Sequence, residues 1–134
     1  MSNRIVFILV CSSIGLLSLS LSAGILDDPR IQELEHELAE ADTQTDMDLA
    51  SKAVADYLDS RLRDLRARIC AEIEPRMREQ FRESERHWQA YRSAATRLSG
   101  LQYEGGSIRP LIHNEVFAQL TRVHIKELEA YERD

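Results

Sequence analysis

Trp88, Tyr91 and Arg92 form the tightest group of side chains in this sequence that could recognise another molecule. Residues three and four positions apart lie on one face of a helix, so the two rings and the guanidinium would be neighbours. Such aromatic and arginine side chains supply binding hot spots on protein surfaces. They also occur as a core aromatic pair with an arginine that hydrogen-bonds a buried carbonyl or carboxylate. The apolar pattern around Trp88 favours the core, so we predict a structural role.

Side chains that could catalyse a reaction or bind a metal do not occur in the required patterns. The sequence has no His-Glu-x-x-His, P-loop, dinucleotide-binding or nucleophile-elbow motif, and no histidine is spaced to activate Cys70. No apolar stretch places two carboxylates together, as acid–base chemistry requires. We therefore predict a protein that is not an enzyme and has no catalytic residue, metal or cofactor. The scattered histidines are His36, His87, His113 and His124.

Residues 1–24 are typical of a secretory signal segment. A positive residue near the start precedes the mainly apolar residues 5–21, and Ser22 and Gly24 suit the −3 and −1 positions of a cleavage site. The apolar run is shorter than the roughly 20 residues of a membrane span, which argues against an uncleaved anchor. We predict a periplasmic or secreted protein whose folded domain is residues 25–134, with no membrane contact after cleavage.

Apolar residues recur at steps of three and four through the rest of the chain, which is the pattern of amphipathic helices. We predict an all-α fold, a small antiparallel bundle or hairpin of three to four helices. The first helix would begin at Asp27 or Asp28, just before Pro29. The second would run from Thr45 to Pro75. Their apolar stripes are Ile31, Leu34, Leu38 and Ala41, and then Met47, Ala50, Val54, Leu58, Leu62, Leu65, Ile69 and Ile73.

The third predicted helix carries a heptad seam of apolar and small residues. We expect other helices to cover this seam, because the only tryptophan stands at its centre. The helix would stop at Gly100, and Ser107 would cap a fourth helix. The seam consists of Met77, Phe81, Ser84, Trp88, Tyr91, Ala95 and Leu98. The fourth helix has one stripe of Ile112, Val116, Leu120 and Val123, and another of Phe117, His124, Leu128 and Tyr131.

The chain is acidic, with a formal net charge of −6. Sequence-independent binding to nucleic acid needs clustered positive charge, so we predict no nucleic-acid partner. An acidic protein would attract a cationic partner, although moderate acidity also serves solubility alone. Opposite charges four residues apart on the second helix are expected to form solvated surface pairs, namely Asp59 with Arg63 and Asp64 with Arg68.

Three stretches of the second half follow the order and spacing of a known family. They are Trp88-x-x-Tyr91-Arg92, Glu104-Gly105-Gly106-Ser107-Ile108 and Leu120-Thr121-x-x-His124-x-x-x-Leu128. This pattern resembles the lysozyme inhibitor LprI-like, N-terminal domain family, whose earlier Asp-x-x-Leu pair is similar to Asp59 and Leu62. The chain departs from the family where its relatives carry cysteine or arginine. The resemblance places Thr96 and Val116 at the ends of the family disulfide, Ala50 at a further cysteine and His124 at an arginine.

The resemblance implies a small secreted helical protein that binds a protein partner, with a cationic lysozyme-like muramidase as its target. The acidic chain would be drawn to a basic lysozyme, and an exposed loop could then block the catalytic cleft. The predicted partner-binding residues are Tyr103, Glu104, Gly105, Gly106 and Ser107, and the family-motif residues given structural roles are Trp88, Tyr91, Arg92, Thr121 and His124. Two alternatives stay open: an immunity protein against a cell-wall toxin, and a structural or assembly module that forms a homodimer through its long helices.

Overall fold

The computed structural model describes residues 24–133, so the predicted leader lies outside the described residues except for Gly24. A 3-10 turn (Ile25–Asp27) precedes four α-helices: α1 (Pro29–Ala39), α2 (Gln44–Glu72), α3 (Pro75–Leu101) and α4 (Arg109–Arg133). The prediction of an all-α bundle with up to four helices is confirmed. Within the described range, no helix combines the length and the apolar composition that crossing a bilayer requires.

Polar caps and prolines fix where the first helices begin. The Asp28 carboxylate accepts a hydrogen bond of 2.9 Å from the Arg30 N–H, and Pro29 occupies the first turn of α1. The Thr43 hydroxyl caps α2 in the same way, so that helix begins one residue before the predicted Thr45. These caps satisfy N–H groups that have no partner within the helix. Pro75 is the first residue of α3, because its missing N–H costs no hydrogen bond there.

The predicted end of α3 at Gly100 is wrong by one residue, because the helix continues to Leu101. Gly100 is buried, and a Cβ at this position would lie 3.5 Å from the Arg109 Nε. Arg109 therefore packs against the end of α3 at a distance that a Cβ would also tolerate. The predicted cap at Ser107 is also displaced, since the Ile108 carbonyl accepts the first helical hydrogen bond of α4 at 3.1 Å.

Helices α2 and α4 run parallel, and α1 and α3 run antiparallel to both of them. Near the starts of α2 and α4, the Asn114 amide donates to the Ser51 hydroxyl at 3.0 Å. Near their ends, Arg68 pairs with Glu132 at 3.1 Å. The contacts of α1 and α3 with α4 run in reverse order. In the segment that contains α1, Ile25 of the preceding turn contacts Glu129 and Glu35 contacts Arg122. In α3, Glu85 contacts His124 and Arg92 contacts Thr121.

This arrangement brings two connections to the same end of the bundle. The link between α1 and α2 (residues 40–43) and the loop between α3 and α4 (residues 102–108) both lie where α2 and α4 begin. We call this part of the molecule, with the adjoining helix ends, the loop end. The opposite end contains the tight turn between α2 and α3.

Helix α2 supplies the largest share of the core, and the predicted stripes of α1 and α2 are confirmed at their buried positions. The α4 prediction is partly wrong, because Val123 is exposed while the second stripe, with His124 and Leu128, faces inward. The buried apolar residues are Ile25, Ile31, Leu34, Val54, Ala55, Leu58, Leu62, Leu65, Ile69, Ala118, Ile125 and Leu128.

Two leucines of α2 allow a matched test of this core. Leu58 is 0% exposed and Leu49 is 64% exposed. We expect Leu58→Ala to lower the free energy of unfolding by about 2–5 kcal/mol, because it removes buried methyl groups and leaves a cavity. Leu49→Ala should change it by less than about 0.5 kcal/mol. Urea unfolding of both variants measures the difference, and equal losses would contradict the assigned orientation of α2.

Candidate partner-binding site

Trp88 lies at the centre of a polar cluster between α2, α3 and α4. Its indole stacks on the imidazole of His124, with ring centroids 4.0 Å apart and ring planes 11° apart. The guanidinium groups of Arg92 and Arg66 lie 4.9 and 5.4 Å from the centroid of the same indole. Cations over an indole face are attracted by its quadrupole. The structure therefore brings the tryptophan, arginine and histidine of the family motif together inside one chain.

Glu85 joins α3 to both neighbouring helices. His124 Nε2 lies 2.9 and 3.0 Å from the two carboxylate oxygens of Glu85, and the Arg66 Nε also donates to this carboxylate. The other ring nitrogen of His124 lies 3.4 Å from Glu127. Glu85 and His124 are both buried. A buried charge is tolerated only when it is paired and hydrogen-bonded, and both conditions are met here.

The pKa of the Glu85 carboxyl is lowered below its ordinary value. Burial alone would raise this pKa, because desolvation disfavours the charged form. The hydrogen bond and the charge of His124, followed by those of Arg66, act in the opposite direction and outweigh burial. Glu85 is a residue of the cluster that the sequence analysis did not single out. Its position three residues before Trp88, on the same helical face, was the signal available for its burial.

Arg92 connects α3 to the other two helices of the cluster. Its Nη1 donates to Asp59 of α2 at 2.8 Å and to the Thr121 hydroxyl of α4 at 2.9 Å. The Thr121 hydroxyl in turn donates to the Phe117 carbonyl at 2.7 Å, and the guanidinium lies 3.9 Å from the centroid of the Phe117 ring. The predicted bond from Arg92 to a carboxylate is thus present, and its partner is Asp59.

Of the two predicted surface pairs of α2, Asp59 with Arg63 is present as a loose pair, and Asp64 with Arg68 is wrong. Asp59 binds Arg92 closely and lies 3.9 Å from Arg63, and Arg68 pairs with Glu132 of α4. The cause is tertiary, because the interhelical partners offer shorter contacts than the neighbours four residues along the helix.

The predicted seam of α3 is correct for only part of its length. Phe81, Trp88 and Ala95 are half-buried, but the other four positions, including Tyr91 at 59% exposure, are exposed. Tyr91 is therefore not a core residue. The helix is rotated because Glu85, Arg92 and Thr96 take the inward positions, where Glu85 and Arg92 pair with side chains of α2 and α4. The exposed seam positions are Met77, Ser84, Tyr91 and Leu98.

All five residues predicted to bind a partner are exposed and lie together in the loop after α3. The Gly106 N–H donates to the Tyr103 carbonyl at 3.0 Å, and the Arg109 N–H donates to the Gly106 carbonyl at 3.3 Å. Gly105 has a φ angle of 80°, which favours glycine, and a Cβ there would face open space. Successive turns thus hold the loop, and Tyr103 and Glu104 project into solvent. The loop lies outside the Trp88 cluster.

The loop end carries a second feature that sequence reasoning missed. Several large apolar side chains are 39–65% exposed there, and they come from α2, α3 and the loop. Four of them lie within residues 98–108, and the fold places Leu49 of α2 at the same end of the bundle. Exposed apolar groups gathered in one region are typical of a binding surface. These residues are Leu49, Leu98, Leu101, Tyr103 and Ile108.

An acidic groove lies at the same end, where α1 meets α2. It is lined by the small residues Ala41, Ala50 and Ala53 and by the exposed Leu49. Its rim consists of four carboxylates, Glu37, Glu40, Asp42 and Asp46. The loop end therefore carries a group of four acids as well as exposed apolar side chains.

The Trp88 cluster is arranged to fasten helices together. Glu85 already accepts hydrogen bonds from Arg66 and His124, so its carboxylate is occupied within the chain. Within residues 24–133, no three His, Cys, Asp or Glu side chains converge as a metal site. Cys70 is a half-buried free thiol, which agrees with its position at the edge of the α2 stripe. The cluster therefore holds α3 against α2 and α4, the helices whose ends form the loop end.

Comparison with known proteins gives the chain its family. A family model described as Lysozyme inhibitor LprI matches residues 35–128, which is more than half of the chain. The chain belongs to the LprI lysozyme inhibitor family. It matches no curated protein and no solved structure. In this LprI family member the matched region begins in α1 and ends in α4, so it includes both the Trp88 cluster and the exposed loop. The resemblance derived from the motifs is confirmed.

The lowered pKa of Glu85 predicts a pH-dependent contribution to stability. A carboxyl whose pKa is lower in the folded state stabilises the fold above its unfolded pKa, and this contribution is lost as the pH falls through the folded pKa. We expect Glu85→Gln to cost about 1–3 kcal/mol at pH 7 and progressively less below about pH 4. Glu83→Gln, two residues away and exposed, is the control. Chemical unfolding at several pH values measures both, and a pH-independent cost for Glu85→Gln would contradict the pairing.

Proposed function

We propose that this LprI family member is exported by its N-terminal segment and inhibits a lysozyme-type muramidase in the periplasm or outside the cell. The family membership supports the class of activity. The observation that carries the proposed binding surface is the loop end, which has both exposed apolar side chains and an acidic groove. In this proposal the protein acts by occupying the enzyme, and it catalyses no reaction itself.

Charge supports the choice of partner. Lysozymes are commonly basic proteins whose cleft contains two catalytic acids. The carboxylates of the groove would attract the positive surface of such an enzyme and orient it toward the loop end. The apolar side chains beside the groove would then be desolvated in the complex, which is the usual source of affinity at the centre of an interface.

The loop supplies the inhibiting element in this proposal. Tyr103 is a large amphipathic side chain at an exposed turn, and Gly105 and Gly106 keep the loop narrow enough to enter a cleft. The backbone hydrogen bonds of the loop fix its shape before binding. A preformed loop loses less conformational entropy when it binds than a flexible loop does.

The two alternatives make different demands on the same chain. An immunity protein against a cell-wall toxin would use the same loop end, so only the identity of the target separates it from a lysozyme inhibitor. A homodimer built on the Trp88 seam receives less support. The indole already stacks on His124 of its own chain, so this part of the seam is covered without a second copy.

The direct experiment uses the full chain expressed in a bacterium with two membranes, from which the periplasmic protein is purified. We expect this protein at micromolar concentration to bind and inhibit at least one lysozyme of the c, g or i type in a cell-wall lysis assay. If all three types remain fully active and calorimetry detects no binding, the proposed function is wrong.

Charge reversal at the loop end tests which surface binds. We expect Glu40→Lys with Asp42→Lys to raise the Kd for the inhibited lysozyme about tenfold, because both carboxylates line the acidic groove. Glu40 is the C-cap of α1 through its backbone N–H alone, and neither carboxylate accepts a capping hydrogen bond, so the fold should persist. The matched control is Asp64→Lys with Glu72→Lys, which makes the same change in net charge on exposed positions of α2 toward the opposite end. Calorimetric titration should show less than about a threefold change for the control, and equal effects would show that only net charge matters.

A further inference from the structure

The first residues of the described chain are fastened to α4 by one carboxylate. The backbone N–H of Ile25 donates to Glu129 Oε1 at 3.0 Å, and Oε2 lies 3.4 Å from the same nitrogen. Gly24 is also close, since a Cβ on it would lie 3.2 Å from Glu129 Oε2. The Ile25 side chain is only 2% exposed and belongs to the core. The hydrogen bond to Glu129 and the burial of the Ile25 side chain therefore both fix the position of the Ile25 nitrogen.

This nitrogen is the atom that would become the chain terminus after signal cleavage. Sequence analysis places Ser22 and Gly24 at the −3 and −1 positions, so cleavage would fall between Gly24 and Ile25. We propose that Glu129 is the receptor for the new N-terminus: removal of the leader frees an ammonium group on Ile25, and this group forms an ion pair with Glu129 that completes the mature fold. This inference rests on the proposed export, but it does not depend on which protein the LprI family member binds.

The covalent step is hydrolysis of one peptide bond by a signal peptidase. Water adds across the Gly24–Ile25 amide, so that Gly24 gains a carboxylate on the released leader and Ile25 gains an amine. The amine takes up a proton at neutral pH, because the pKa of an α-amino group is ordinarily about 8. An amide N–H that donated one hydrogen bond is thereby replaced by an ammonium group with three donors and a full positive charge.

Cleavage removes one hydrogen bond and strengthens another. The lost bond is the one of 2.9 Å from the Asp27 N–H to the Gly24 carbonyl. Asp27 is exposed, so water can replace that carbonyl at little cost. The bond to Glu129 becomes charge-assisted in a partly buried place, and such bonds are roughly twice as strong as neutral ones.

The charged groups around Glu129 are paired with one another, so the Glu129 carboxylate can accept the ammonium group. Asp28, the nearest acid past the turn, already accepts from the Tyr57 hydroxyl at 2.9 Å and pairs with Arg61 at 3.3 Å. On α4, Glu132 is engaged with Arg68. Among the side chains that the structure describes, no lysine or arginine lies within ion-pairing distance of Glu129.

The first measurement is the intact mass of the periplasmic protein described above. We expect a chain that begins at Ile25. A retained leader, or cleavage well before Gly24, would overturn the inference without affecting the lysozyme assay, which separates its failure from failure of the proposed function.

The second measurement is a cycle of four proteins. All core residues lie within residues 25–128, so a chain that begins at Ile25 keeps the whole bundle. It is compared with a chain that retains Ala23 and Gly24, and each is made with Glu129 or with Glu129→Gln. We expect the two extra residues to lower the Tm by about 4 °C when Glu129 is present, and by less than about 1 °C when it is replaced.

Two controls isolate the ion pair. Acetylation of the Ile25 amine should reproduce the loss of Tm in the protein with Glu129 and not in the Glu129→Gln protein. Glu115→Gln, which removes an exposed carboxylate at the other end of α4, should leave the effect of the extra residues unchanged. The same Tm difference with and without Glu129 would overturn the proposal, because it would show that the terminus stabilises the fold without this carboxylate.

Discussion

The hydrogen bonds of Arg92 are the constraint on which the arrangement of the helices depends. One guanidinium nitrogen joins α3 to Asp59 of α2 and to Thr121 of α4. About two helical turns away, Glu85 makes a similar connection among the three helices through Arg66 of α2 and His124 of α4. Helix α3 has little buried apolar surface of its own, so these polar contacts and the indole between them decide how it lies on the bundle.

A polar connection of this kind specifies one register in a way that an apolar face does not. Leucine contacts tolerate small shifts, whereas a buried carboxylate or guanidinium without its partner costs several times as much as a lost methyl contact. Sliding α3 by one turn would separate Glu85 from His124 and Arg92 from Asp59 together. The register of α3 in turn fixes where the helix ends, and therefore where the exposed loop begins.

The helices could be predicted from the sequence because their causes are local. Asp28 and Pro29 start α1, Pro75 divides α2 from α3, and the stripe from Val54 to Ile69 marks the core face of α2. The rotation of α3 could not be predicted in this way. An apolar pattern scores Tyr91 as an inward residue and Glu85 as an outward one, and only the partners on α2 and α4 reverse that assignment.

The candidate site also has a part that the sequence predicts and a part that it does not. The loop residues Tyr103 to Ser107 could be identified from a glycine pair beside polar residues, and the structure places them all in solvent. The rest of the loop end could not be identified, because only the parallel packing of α2 and α4 brings the start of α2, with Leu49, to the same end of the bundle as the loop. The acidic rim likewise combines residues from two helices. Binding surfaces of this kind belong to the tertiary fold.

Our interpretation assigns rigidity to the Trp88 cluster and recognition to the loop end. Hydrogen exchange of the purified protein, measured with and without an inhibited lysozyme, tests this division most directly. We expect the enzyme to slow exchange of the amides in residues 40–50 and 98–108 and to leave the exchange of amides around Trp88 and His124 unchanged. Protection centred on the Trp88 face of α3, with none in the loop, would contradict it.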